Sequence, residues 1–238
     1  MIHFENVGKR YASTQREALK SLDLQIGKGE IAFLTGRSGA GKSTLLKLIA
    51  LVERPTQGTL TVNGLNIGNV KASQIPAYRR QIGMVFQDHK LLNDRTIFNN
   101  VALPLVIAGV GERESSRRVR AALDQVGLLK YEQAMPDELS IGEQQRVGIA
   151  RAIVTKPPIL IADEPTGNLD PDLSYEIMRL FRRFNEVGVT VLIASHDVVL
   201  IDSFPVRRIR LDQGQVAEDS PAPLPRVGAT VPARSVEA

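Results

Sequence analysis

One run constrains this chain more than any other: Gly36-Arg37-Ser38-Gly39-Ala40-Gly41-Lys42-Ser43-Thr44. It fits G-x-x-x-x-G-K-[ST] without a mismatch. The glycines let the backbone curl, so that successive N–H groups point inward at one anion. A helix starting near Lys42 adds the positive end of its dipole to the same point. The arrangement therefore demands a strand before the loop and a helix after it. Both are present: Ile31–Thr35 is an apolar run, and residues 43–52 carry an amphipathic pattern. In such a cradle Lys42 reaches the β- and γ-phosphates of a nucleotide, and the Ser43 hydroxyl takes one position on Mg²⁺.

Two further runs, residues 159–162 and 189–194, also read as strands that end in polar loops. Helical patterns lie between them, an alternation that predicts an α/β fold with a mostly parallel sheet. One predicted helix covers residues 171–187. Asp170 can cap it, Pro171 suits its first position, Leu173, Ile177, Leu180, Phe181 and Phe184 share a face, and Gly188 ends it. Residues 88–155 read instead as a helical subdomain inserted into the core. There Ser115 is expected to cap a helix lined by Val119, Leu123 and Val126 and stopped by Gly127. Residues 1–24 and 59–67 read as short strands of an antiparallel layer. The predicted folded unit is 1–218. From 219 to 238 the chain is rich in proline and alanine, with no aromatic and no lysine. Such a segment buries too little apolar surface to offset its ordering entropy and is expected to be a disordered tail.

Composition excludes several classes. Cysteine is absent, which rules out disulfides, thiolate metal sites and thiol catalysis and fits a reducing compartment. Tryptophan is absent too, against a Trp-rich carbohydrate-binding or membrane-belt surface. The longest apolar stretches, residues 101–110 with Pro104 inside and 189–194, fall short of the roughly 20 residues a membrane span requires. The first residues are charged almost at once and lack the apolar stretch of a signal peptide. A net charge of +4 reads as a mildly basic soluble protein, with an anionic membrane surface or nucleic acid as the sharper alternatives.

The run 159–162 leads into Asp163-Glu164. An Asp at a strand tip can hold Mg²⁺ through water, and the next carboxylate can reach the water that attacks a γ-phosphate. Ser140-Ile141-Gly142-Glu143 reads as a capping box that opens a helix through Val147, Ala150 and Ile153. A helix start carrying Ser and Gly is also an anion site. The same end can cap itself when empty and receive a γ-phosphate when not.

These motifs, with Gln87, Leu139 to Gln144, Asn168-Leu169-Asp170 and His196, stand in the order seen in ATP-binding-cassette domains, which the chain resembles from residue 1 to about 218. The resemblance implies an α/β P-loop NTPase fold: a mostly parallel core sheet, an antiparallel β layer and an inserted helical subdomain. It implies an ATPase that uses ATP and Mg²⁺ and works as a homodimer. By the same resemblance Tyr11 stacks on adenine, and Gln87 is the switch that couples Mg²⁺ and water to a membrane partner. Glu164 is the general base, His196 senses the γ-phosphate and positions the water, and Asp170 lies in a loop that crosses to the second subunit. The implied catalytic set is Lys42, Gln87, Glu164 and His196. The metal set is Ser43, Gln87 and Asp163. Nucleotide contacts come from Tyr11, the run Gly36, Arg37, Ser38, Gly39, Ala40, Gly41, Lys42, Ser43 and Thr44, and from Gln87, Ser140, Gly142, Asp163 and His196. One departure stands out. The usual signature is Leu-Ser-Gly-Gly-Gln, and here Ile141 and Glu143 occupy its third and fifth places. An isoleucine is costly in left-handed backbone, so Ile141 is expected to take an ordinary helical dihedral.

The segment from Gln81 to Leu105 further resembles the cell-division branch of the family. That implies an FtsX-like integral membrane subunit with four helices as partner, contact with other cell-division proteins, and control of cell-wall hydrolases. It places the chain peripherally on the cytoplasmic face of the bacterial inner membrane, with no nucleic acid expected. Leu91, Leu92 and Phe98 read as exposed apolar residues on which a short helix of the partner can dock. The alternative within the family is the ATPase of lipoprotein release or macrolide export. A cassette ATPase acting on DNA or the ribosome is the other alternative. Those members interrupt the cassette with coiled coils or carry two cassettes per chain, and this chain does neither.

Overall fold

The computed structural model describes residues 1–12 and 15–222. The chain begins with β1 (Ile2–Arg10), β2 (Glu17–Ile26), β3 (Ile31–Thr35), α1 (Lys42–Ile49), β4 (Gln57–Val62) and β5 (Leu65–Asn66). A short α2 (Ile75–Arg79) leads to β6 (Ile82–Val85), and three helices follow: α3 (Ile97–Ile107), α4 (Glu112–Gln125) and α5 (Ile141–Ile153). The last part holds β7 (Ile159–Asp163), α6 (Pro171–Glu186), β8 (Thr190–Ala194), α7 (Val198–Asp202), β9 (Arg207–Asp212) and β10 (Gln215–Ser220).

Two sheets form. An antiparallel one has the order β2-β1-β4-β5, and a larger one the order β10-β9-β3-β8-β7-β6. In the larger sheet β9, β3, β8, β7 and β6 run parallel, and only β10 is antiparallel, against β9. Its apolar strands are buried on both faces, the usual state of parallel strands. Side chains alternate between two cores with period two. Phe33, Leu160, Val191 and Ile193 face Val101, Val147 and Phe181 of the helices. Leu34, Ile161 and Leu192 face Leu45 of α1 and Ile2, Leu22 and Leu60 of the antiparallel layer.

The predicted helix at 171–187 is α6. Asp170 caps it, accepting from the Leu173 N–H at 2.9 Å, and Ile177, Leu180 and Phe181 are buried. The prediction that Ser115 caps a helix is corrected. α4 starts earlier, with Gly111 as its N-cap, and the Ser115 hydroxyl donates to Val110 O at 3.2 Å from inside the first turns. Glu112 and Glu114 occupy the first turn, where the helix dipole favours acids, so the helix outruns its apolar stripe. The boundary at 218 is corrected as well. β10 continues to Ser220, with Asp219 opposite Ile209 and its carboxylate accepting from Arg207 at 2.7 and 2.6 Å. The rest of the predicted tail, 223–238, lies outside the described residues. Among the described residues no helix is long and apolar enough to cross a membrane.

Candidate nucleotide site

Ligands of open α/β sheets bind beyond the carboxyl ends of the strands. Four of the predicted functional elements emerge there: the glycine loop after β3, Gln87 after β6, Asp163-Glu164 at the end of β7, and His196 after β8. Backbone geometry fixes the loop. Gly36 has φ 135°, and a Cβ there would lie 2.3 Å from the Leu211 carbonyl. Gly41, the N-cap of α1, has φ 111° and equally little room, since its Cβ would stand 2.7 Å from Ala18 O. Only glycine meets both demands. The Lys42 ammonium folds back over this loop, donating to Gly36 O at 2.7 Å. It also stands 3.6 Å from the Glu164 carboxylate.

At the tip of β7, Asp163 Oδ1 accepts from the Ser43 hydroxyl at 3.0 Å. The pair is an oxygen-only donor set, suited to a hard cation that keeps waters and phosphate oxygens in its remaining positions. Glu164 has φ 49°, a left-handed backbone rare outside glycine, of the kind that concentrates at functional sites. Its N–H donates to Ala194 O at 3.0 Å, and its Oε2 lies 2.9 Å from His196 Nδ1. The Glu164 carboxylate is 15% exposed, whereas the His196 ring is 70% exposed. The carboxylate is held; the histidine is open to whatever enters. The Gln87 amide rests against the loop after Glu164, 3.4 Å from where a Cβ of Gly167 would be. Arg37, Lys42, Ser43, Gln87, Glu164 and His196 thus share one cleft of about 580 Å³.

Arg16 and Ala18 also line this cleft, and the Arg16 guanidinium donates to Gly39 O at 2.9 Å. Sequence reasoning missed both, because neither belongs to a motif and β2 brings them in from the other sheet. Tyr11 stands nearby, its hydroxyl 3.4 Å from Thr44 Oγ1 and its ring beneath the Lys9 ammonium. Ser140 and Gly142 are not among the residues that line the cleft. Ser140 forms the predicted capping box: its hydroxyl accepts from Glu143 N–H at 3.3 Å, and Glu143 Oε2 accepts from Ser140 N–H at 2.9 Å and from its hydroxyl at 2.7 Å. These bonds hold the Glu143 carboxyl below its ordinary pKa. Gly142 is buried under Leu173, whose Cδ2 would stand 2.0 Å from an added Cβ. Ile141 opens α5 and is absent from the residues with positive φ, as expected.

The ABC transporter family profile matches residues 19–167. Over 216 residues the chain is 56% identical to the cell division ATP-binding protein FtsE of Escherichia coli K12, which covers 91% of this chain and 97% of that one. FtsE of Mycobacterium tuberculosis is 44% identical over 219 residues, 92% of this chain and 95% of that one. Among solved structures, the ATP-binding cassette MJ0796, a dimer in a post-hydrolysis state bound to ADP and Pi, superposes with a TM-score of 0.85 at 34% identity, covering 94% and 99% of the two chains. CbiO1 of Clostridium perfringens, part of the ABC transporter complex cbiONQ, gives a TM-score of 0.85 at 30% identity over 93% and 88%. With a phosphate cradle, a tethered carboxylate and a histidine on one cleft, and with this kinship along its length, the chain belongs to the ABC transporter family of ATPases.

Proposed function

We propose that this chain is the ATP-hydrolysing subunit of a bacterial cell-division complex, acting as a head-to-tail homodimer beneath an FtsX-like membrane subunit. The observation that carries the cell-division assignment is 56% identity to FtsE over nine-tenths of the chain. The dimer is supported by the separation of Ser140 and Gly142 from the cleft. A second copy would bring those residues to the γ-phosphate. A peripheral place on the cytoplasmic face of the inner membrane follows from such a partner.

Hydrolysis on this geometry begins at Glu164. Its carboxylate takes a proton from water as the water oxygen attacks the γ-phosphorus. The bond from that phosphorus to the β,γ-bridging oxygen breaks, leaving ADP and phosphate. His196, bonded to Glu164 Oε2, keeps the base oriented. Lys42 and the loop amides meet the charge that develops on phosphate oxygens. Ser43, Asp163 and Gln87 are the residues that would hold Mg²⁺, which when bound neutralises charge on the β- and γ-oxygens.

The partner would engage the stretch after Gln87. Leu92 there is exposed, while Leu91 and Phe98 are half-buried against the helical core. The sequence reading of all three as exposed is corrected to Leu92 alone. Tagged protein purified from solubilised membranes should carry a four-helix membrane subunit identifiable by mass, and Leu92→Glu should lose it while keeping ATP affinity within about threefold, the range of a distant surface change. A partner of the lipoprotein-release or macrolide-export kind would overturn the cell-division assignment. Undiminished capture by Leu92→Glu would move the docking site elsewhere.

A further inference from the structure

Gln145 is fully buried in the middle of α5. Its Oε1 is hydrogen-bonded to His89 Nδ1, and its Nε2 has no partner among the described residues. A buried amide left half-paired is costly, and native structures retain few of them. A leucine would fill the same space without that cost, so the reason for the amide lies in what it holds.

It holds an irregular segment. His89 and Lys90 are successive non-glycine residues at φ 56° and 50°, backbone that side-chain-bearing residues rarely adopt. Arg151, further along α5, donates to the carbonyls of Lys90 at 2.6 Å and of His89. The His89 carbonyl also lies over Gly148, 3.8 Å from where a Cβ would be. Gln145 and Arg151 of α5 therefore grip the segment that directly follows Gln87. Gln87 faces the nucleotide cleft, and α5 begins with Ser140 and Gly142 one turn before Gln145. The grip joins a group on this chain's own cleft to a helix whose start, with Ser140 and Gly142, does not line that cleft.

We propose that His89 is a positioning residue for hydrolysis: through Gln145 it ties movement of Gln87 to the tilt of α5, so that nucleotide held in one copy sets the Ser140 end offered to the other. This rests on the head-to-tail reading above. Coupling between sites of this kind is commonly about 5- to 150-fold in equilibrium terms.

The test uses the full chain and four variants: His89→Ala, His89→Asn, Gln145→Leu and the double change His89→Ala/Gln145→Leu. Asparagine places an amide nitrogen near the position of Nδ1 and tolerates left-handed backbone, so His89→Asn should keep the joint. Three quantities are read: ATP affinity of dilute protein, the Hill coefficient for ATP in steady-state hydrolysis, and turnover. For His89→Ala and Gln145→Leu, affinity should stay within about threefold, turnover should fall about tenfold, and the Hill coefficient should drop towards 1. The double variant should be no worse than the poorer single one, the signature of two groups acting as one. His89→Asn should recover most of the turnover. Multiplicative losses, unchanged turnover, or equal damage in His89→Asn and His89→Ala would each overturn the proposal. Should Gln145→Leu melt early, the contrast between His89→Asn and His89→Ala decides alone. A parent enzyme that lacks ATP-dependent turnover or dimerisation would instead refute the function it rests on.

Discussion

The starts of α1 and α5 are both helix N-termini read as phosphate sites, and they are finished in opposite ways. α1 follows Gly41, which supplies no side-chain cap, so no side chain competes there with an incoming anion. α5 follows Ser140, whose hydroxyl together with Glu143 closes a capping box over the same kind of N–H groups. An uncapped end offers its amides freely. A capped end must give up its internal bonds before it can bind. Under the proposed function, the first end takes nucleotide within one chain, and the second engages only something already charged and fixed, such as the γ-phosphate in a second copy.

The largest expected effect separates chemistry from assembly. Glu164→Gln removes the proposed base but keeps the size of the side chain. Turnover should fall about 10²- to 10⁴-fold, the usual weight of a positioned acid–base group. Both N-termini remain, so ATP should now trap the closed pair, and light scattering with Mg-ATP should report twice the monomer mass. A monomer at high protein concentration, with and without the membrane partner, would break the comparison, because the α5 end would then have no second nucleotide to meet.

Next in size is Lys42→Ala, which strips the cation from the uncapped site. Loss of one preorganised charge-stabilising group commonly costs about 10²- to 10³-fold in rate. Hydrolysis within about threefold of the parent would mean that the loop after β3 is not where the reacting phosphates sit.

How far these two sites could be read from sequence differs as well. The cradle was legible because its demands are local: glycine where φ is positive, lysine at the first helical residue, and an apolar strand before them. Asp163 and Glu164 were legible because they end an apolar run, His196 because the resemblance pointed to it, and the parallel sheet delivers all three to one edge. Arg16 was not legible, since it reaches the cleft by the placement of β2 in another sheet. Nor was the Gln145–His89 contact, which joins residues far apart in sequence through burial that no periodicity reveals. Asp219 was misread as tail for a related reason: its β10 edge is held by backbone pairing and by Arg207, which an apolar-pattern reading does not weigh.

The smallest expected effect addresses the cap itself. Glu143→Gln restores the residue usual at the fifth place of the signature and replaces a charged acceptor by a neutral one. Hydrogen bonds to an ionised acceptor are roughly twice as strong as neutral ones, so the box should open more readily. Two quantities should then move in opposite directions. Stability should fall slightly, by about 2 °C in melting temperature for a chain of this size. ATP-driven association in the Glu164→Gln background should tighten about fivefold, the equivalent of one weakened cap bond. Proton linkage gives the same result a second reading. The Glu143 pKa is held below its ordinary value in the folded chain, so the stabilisation is present above the ordinary carboxylate range and lost as pH falls through the folded value. The parent should lose its small stability advantage over Glu143→Gln as pH is lowered through that window. If association weakens along with stability, the box is a part of the binding surface rather than its competitor, and the two N-termini are more alike than their caps suggest.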